Sequence, residues 1–114
     1  MSFIFSKEQR LLNSKDYTHV FTASERKSSD SYFTVLRRFS LSEKYSRLGV
    51  VVAKKNIRRA HERNRVKRLI RESFRYYQWS NSYDVVVLAK HSAQYVDNRV
   101  LFKSLLRHWE RIGQ

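Results

Sequence analysis

Apolar residues recur along this chain in two rhythms. From Ser14 to Ala23 the spacing is helical: Tyr17, Val20 and Phe21 share one face, and Asn13 or Ser14 can cap the first turn. The rhythm changes over Asp30–Phe39, where Tyr32-Phe33-Thr34-Val35-Leu36 is aromatic and β-branched and predicts a strand. RLGVVVA, Arg47 to Ala53, predicts a second strand, and the polar stretch from Ser40 to Ser46 reads as the hairpin connection between the two. YDVVVLA, Tyr83 to Ala89, predicts a third. Runs this apolar belong to strands buried on both faces or at the centre of a sheet. Between the second and third strands, Val66, Leu69, Ile70, Phe74 and Tyr77 return at helical spacing and predict a helix over Arg59–Tyr77. A last helix is expected over Asp97–Ile112. Asp97 or Asn98 caps it, Leu101, Leu105, Trp109 and Ile112 pack, and Gly113 ends it. The order is helix, two strands, helix, strand, helix, which predicts an α/β sandwich with helices on a small sheet.

Length and composition fit that picture. A chain of 114 residues is one domain and buries roughly two-thirds of its unfolded surface. Its 41% hydrophobic and 14% aromatic content supplies a core and argues against disorder. Charge changes the picture more. Lys plus Arg is 24 against 10 Asp plus Glu, a formal net charge of +14, and the pI is near 10.6. Self-repulsion on this scale opposes compaction and calls for a polyanionic partner. Cys is absent, so there is no disulfide framework and no thiolate metal site, and a cytoplasmic location is expected. MSFIFSKEQR lacks the basic start and long apolar run of a signal peptide. The longest apolar run is interrupted by Asp84, so neither a membrane span nor a membrane partner is expected. Pro is absent and Gly occurs twice, which leaves no glycine-rich phosphate loop.

The charge is concentrated. Lys54–Arg75 reads KKNIRRAHERNRVKRLIRESFR, with ten Lys or Arg, two Glu and a net charge of +8. On a helix, Asn64, Arg65, Arg68, Arg71 and Arg75 fall roughly opposite the apolar face, with Arg63 and Lys67 nearer its flank. A helix that is merely solvated interleaves its signs. Here Arg59, Arg63, Lys67, Arg71 and Arg75 repeat like charge at i, i+4, which is locally destabilising. Arginine also suits bidentate phosphate contacts and stacking on bases. Tyr17 and Phe21, one turn apart, are open to two readings. They belong to the core, the commoner fate of such a pair, or they line a cleft with Thr34 and Leu36 on which bases stack.

The sequence offers no complete catalytic site. His61-Glu62 begins like a zinc-binding HExxH, but Arg65 stands where the second His is required. The four His are scattered, and Asp16, Asp30, Asp84 and Asp97 are isolated from one another, so neither a two-metal carboxylate site nor a Ser–His–Asp arrangement can be argued. A protein nuclease, a double-stranded DNA binder using the basic helix, and a ribosomal-type RNA-binding module remain competing classes.

SRLGVVVAKKNIRRAHERNRVKRLIRESFR resembles the protein subunit of bacterial ribonuclease P. Arg63-Asn64-Arg65 followed by Lys67-Arg68 matches that family's RNR motif. RLLNSKDYTHVF upstream looks like its first helix, and YDVVVLAK downstream like its last strand. The resemblance spans nearly the whole chain as one RNA-binding domain, 1–114. It implies a two-layer sandwich of three helices on a small mixed sheet, like the second domain of ribosomal protein S5, with a left-handed β–α–β crossover. It implies two RNA partners, the ribonuclease P RNA and precursor tRNA, and no obligate protein partner. The RNA subunit removes the 5′ leader with Mg2+, and the protein alone binds no cofactor or metal and supplies no catalytic residue. Carried across position by position, Arg63, Asn64, Arg65, Lys67 and Arg68 face the catalytic RNA, with Arg71 and Arg75 extending that face. Tyr17 and Phe21 form the aromatic pair of a leader cleft with Thr34, Leu36 and Val51 on its floor, and Lys54 and Lys55 are the paired lysines before the motif. Val51 and Ala53 stand where some relatives carry Ser, so this cleft offers fewer hydroxyls there.

Overall fold

The structure is a computed structural model that describes residues 14–39 and 46–113. The chain runs through α1 (Ser14–Ala23), β1 (Arg26–Ser29), β2 (Phe33–Phe39), β3 (Arg47–Val51), α2 (Ala60–Tyr76), β4 (Tyr83–Ala89), a short 3₁₀ helix (His91–Tyr95) and α3 (Asn98–Ile112). Three helices on a four-stranded mixed sheet make the expected α+β sandwich. The two long helices lie within a residue of their predicted limits. Arg59 and Tyr77 are the caps of α2 rather than members of it. At α3, Asp97 is the N-cap, and its carboxylate accepts from the Val100 N–H at 3.0 Å. The proposed cap Asn13 lies outside the described residues.

The sheet corrects one expectation. Its strand order is β1-β2-β4-β3, so β2 and β3 are not a hairpin, and residues 40–45 of the supposed hairpin loop lie outside the described residues. β4 stands between them, antiparallel to β2 and parallel to β3. The physical reason is the β3–α2–β4 connection. Its helix is long enough to carry the chain back and lay β4 parallel beside β3, which a tight turn cannot do. β4 is the most apolar strand, and the central place buries it on both faces. Two elements were not foreseen, β1 and the 3₁₀ helix. β1 reads RKSS, with no apolar pattern, and its place comes from pairing with β2. Asp30 makes the turn between them, accepting from the N–H groups of Tyr32 and Phe33 at 2.8 and 2.9 Å, so β2 begins at Phe33 rather than at Asp30.

Side chains alternate across the sheet. One face is sealed. Phe33, Val35, Leu48, Tyr83, Val85, Val87 and Ala89 pack under Val66, Leu69, Ile70 and Phe74 of α2 and Leu101, Leu105, Trp109 and Ile112 of α3. Trp109, fully buried, donates to Ser73 at 3.0 Å and stacks edge-on against Phe74 and Trp79 with centroids 5.8 and 5.6 Å away. Gly113 follows α3, and a Cβ there would lie 2.7 Å from the Trp109 carbonyl and 2.9 Å from the Tyr77 hydroxyl, so close packing requires the glycine. Arg37 is buried on this side. Its guanidinium lies 4.3 Å from the Tyr83 ring centroid, pairs with Glu25 at 3.0 Å and donates to the Ile112 carbonyl.

Among the described residues the opposite face carries only α1. Val20 is the one residue of α1 that is fully buried, packed on Val86, with Tyr17, Leu36, Val51 and Leu88 partly buried around it. A ten-residue helix is about 15 Å long and does not cover the sheet.

Candidate nucleic-acid interface

The open face is built from α1 and the outward positions of β2, β3 and β4. Polar contacts set the tilt of α1. Arg47 of β3 grips Asp84 of β4 through two hydrogen bonds of 2.9 and 2.8 Å, and the same guanidinium lies 3.6 Å from Asp16 of α1. The Asp84 carboxylate raises the Arg47 pKa further, against the opposing effect of burial. Arg38 of β2 contacts His19 of α1. The Tyr17 hydroxyl accepts the Val50 N–H at 3.2 Å, which holds this ring down on the edge of the sheet.

Between these anchors lie the residues expected to form the cleft. Thr34, Leu36 and Val51 are half-buried on the floor together with Leu88, which the sequence reading did not single out. Phe21, 45% exposed, stands at the rim. The aromatic pair divides by residue: Tyr17 is partly buried against the Val20–Val86 cluster, and Phe21 is exposed. The hydroxyls thought lacking are partly supplied elsewhere. Ser29 of β1 pairs with Thr34 at 3.2 Å on this face, beside Lys90, whose ammonium donates to Ser29 at 3.0 Å and to the Asp30 carbonyl at 2.5 Å. Ser29 was missed because β1 itself was not visible in the pattern. Lys54 and Lys55 are exposed in the turn that follows β3.

The basic helix is more divided than a helical wheel implies. Asn64, Arg68 and Arg71 are exposed, and among the described residues they make no ion pair or hydrogen bond. Lys67 is half-buried on the same flank. Arg65 and Arg75, expected on the solvent face, are half-buried, as is Arg63 of the flank. Arg63 donates to the carbonyls of Ile57 and Arg58 at 3.0 and 2.7 Å, closing the turn that leads into α2. Arg65 bonds Glu62 at 3.0 Å and Asn98 at 2.8 Å and reaches the Gln94 carbonyl at 3.5 Å. Arg75 is half-buried, with its Nε shielded from solvent. The reason is position. Arg63 and Arg65 lie where the start of α2 meets the preceding turn and the 3₁₀ helix, and a wheel knows nothing of those neighbours.

The fold also assembles groups that are remote in sequence. His108 is wholly buried, with Nδ1 2.7 Å from the Ser28 hydroxyl and Nε2 3.1 Å from an Asp30 carboxylate oxygen. This has the composition of a hydrolytic triad without its access, because Ser28 is only 6% exposed. The Asp30 carboxylate is also bound by Ser104 at 2.5 Å. Burial would raise its pKa, but Ser104, the two backbone N–H groups and His108 together outweigh burial and hold it at about 2. Burial lowers the His108 pKa, and neighbouring Asp30 does not fully offset that. The set ties α3 to the β1–β2 hairpin.

Among the described residues the Asp side chains are tied up within the protein. Asp16 and Asp84 do converge, but on the Arg47 guanidinium, a fixed cation. Among the described residues no group of three or more His, Asp or Glu is placed to hold a metal, and no helix is long and apolar enough to cross a membrane.

A half-open sheet face edged by aromatics, with a strongly basic helix in the layer behind the sheet, defines a protein that holds nucleic acid. Residues 5–113 match the Ribonuclease P family, and the chain belongs to it. It is 46% identical to the Ribonuclease P protein component of Salmonella paratyphi A over 108 residues, covering 94% of this chain and 89% of that one. It is 45% identical over the same shares to the component from Escherichia coli strain K12 / DH10B. Among solved structures it is similar to the RNase P protein from Thermotoga maritima, with TM-score 0.78 and 32% identity over 92% of this chain and 98% of that one. The Staphylococcus aureus RNase P protein superposes with TM-score 0.81 at 23% identity over 93% and 98% of the two chains, a likeness of fold.

Proposed function

We propose that this chain acts as the protein subunit of a ribonuclease P ribonucleoprotein, binding the catalytic RNA on the outer side of α2 and the single-stranded 5′ leader of precursor tRNA in the cleft under α1. The observation that carries this reading is the half-covered sheet face. A protein needing only a core would seal it, whereas among the described residues Tyr17, Phe21, Thr34, Leu36, Val51 and Leu88 leave an apolar, aromatic-edged trough, with a strongly basic helix in the layer behind the sheet.

Asn64, Lys67, Arg68 and Arg71 are the side chains available to phosphates, with Arg75 at the far end. Arg63 and Arg65 contribute by holding the start of α2 in place. The cleft discriminates precursor from mature tRNA because only the precursor has unpaired bases to stack there, and Lys54 and Lys55 neutralise the strand backbone. Mg2+ belongs with the RNA, whose phosphates supply hard oxygen ligands that this protein does not assemble. The protein lowers the Mg2+ requirement by offsetting repulsion between catalytic RNA and substrate, and it does so in the cytoplasm without an obligate protein partner.

The test is cleavage of 5′-labelled precursor tRNA at low Mg2+ by the protein alone, by bacterial ribonuclease P RNA alone, and by both. Efficient cutting at the mature 5′ end only in the mixture is the expected result. RNA binding without stimulation would instead make the chain a ribosomal-type binding module, and cutting by the protein alone would place a catalytic site in it.

A further inference from the structure

Tyr95 is the most exposed large apolar side chain among the described residues, at 72%. It is nevertheless held in place. Its ring meets His91 edge-on, with centroids 5.2 Å apart and planes at 73°, and its hydroxyl lies 3.2 Å from His91 Nε2. His91 is itself pinned: Nδ1 lies 2.9 Å from the Asn56 carbonyl and 3.0 Å from the Gln94 amide nitrogen, which also donates to that carbonyl at 3.0 Å. The Tyr95 hydroxyl and His91 Nε2 are thus hydrogen-bonded on a ring already fixed at Nδ1. A tyrosine backed in this way loses little further freedom when a planar ligand stacks on its open side.

Its surroundings say which planar ligand. β3 and β4 run parallel, and both leave the cleft floor at this end. β3 passes Val51 and enters the turn carrying Lys54, Lys55 and Asn56, while β4 passes Leu88 and enters Lys90 and the 3₁₀ helix. His91 joins the two exits through Asn56. The nearby acids are engaged within the protein: Glu62 pairs with Arg65 at 3.0 Å, and Asp97 caps α3. What remains for a ligand is an aromatic face on the segment after Lys90, just past the ends of β3 and β4 that carry the floor residues Val51 and Leu88.

We propose that Tyr95, backed by His91, is a stacking platform for an unpaired nucleobase of the leader at the point where the strand runs off the cleft floor. The proposal rests on the leader-binding reading above and adds to it a contact on the 3₁₀ helix, distinct from Tyr17 and Phe21.

The experiment uses the holoenzyme reconstituted with bacterial ribonuclease P RNA. Binding of precursor tRNAs with stepwise shortened leaders is measured for the unmodified protein, Tyr95→Ala, Tyr95→Phe and Tyr17→Ala, alongside mature tRNA and affinity for the RNA subunit. Tyr95→Ala should weaken binding of the full-leader precursor roughly 5- to 100-fold, the scale of one base–aromatic stack, while Tyr95→Phe stays within about twofold because the ring is kept. The losses from Tyr95→Ala and Tyr17→Ala should vanish at different leader lengths, because the two rings hold different bases. Precursor affinity unchanged in Tyr95→Ala but reduced in Tyr17→Ala overturns the platform and leaves the leader cleft standing. A loss of RNA-subunit affinity in Tyr95→Ala without a leader-dependent effect overturns it as well. If neither variant affects precursor binding, the leader-cleft reading itself fails and takes the platform with it.

Discussion

The two faces of one sheet have been put to different uses. On one, Tyr83, Val85 and Val87 of β4 lie under two long helices and an aromatic cluster with no exposed surface to speak of. On the other, Val86 is buried beneath Val20, but its neighbour Leu88 is only half-covered, because among the described residues a single ten-residue helix spans that side. Adjacent residues of the same strand therefore do different work. The contrast shows that an apolar run in a central strand reports burial by something, and that the something can be partly a ligand.

The sharpest way to break the comparison is to cut into each face. Trp109→Ala removes the centre of the sealed side and should cost about 3–5 kcal/mol of stability, read by denaturant unfolding. Leu88→Ala on the open side should cost less than about 2 kcal/mol, yet weaken precursor tRNA binding in the folded protein. Equal stability losses would mean the second face is a core like the first. Next in size is the pair at the cleft edge. Replacing Tyr17 and Phe21 together by Ala should weaken precursor binding about 10- to 100-fold and leave mature tRNA binding unaltered, and an equal loss for both RNAs would remove the leader from the cleft.

The outer side of α2 sharpens the picture at smaller scale. Arg68→Glu and Arg65→Glu should both reduce affinity for the catalytic RNA, but only Arg65→Glu should also lower the melting temperature, since it breaks the contacts to Glu62, Asn98 and Gln94. Arg68→Glu should also flatten the salt dependence of RNA binding, by about one unit of log–log slope for the lost phosphate contact.

The smallest effect is on acid stability, and it belongs to the sealed face alone. His108 has a folded pKa below its ordinary 6.5, so the stability from keeping it neutral is complete above pH 6.5 and is lost as pH falls through that value towards the lower folded one. Asp30, held at about 2 against 3.8, adds stability that is lost between those two values on further acidification. Melting temperature measured against pH should therefore fall in two stages. His108→Gln should abolish the first stage while retaining the second.

Much of this protein is decided locally. Helical and strand periodicity place α2, α3 and β4 almost to the residue, because long amphipathic or apolar segments have few alternatives. The basic character of α2 and the aromatic pair of α1 are equally legible, since like charge repeated at i, i+4 disfavours the isolated helix and needs an external reason. Tertiary structure decided the remainder. β4 enters between β2 and β3 because a crossover helix permits parallel pairing, and no local pattern records which strand takes the middle. β1 exists only because β2 offers it an edge. Ser28, Asp30 and His108 meet across some 80 positions of chain, a contact that packing creates and spacing cannot announce. Of the arginines in α2, some reach solvent and others tie the helix to its neighbours, because a side chain's exposure depends on what the rest of the chain places beside it.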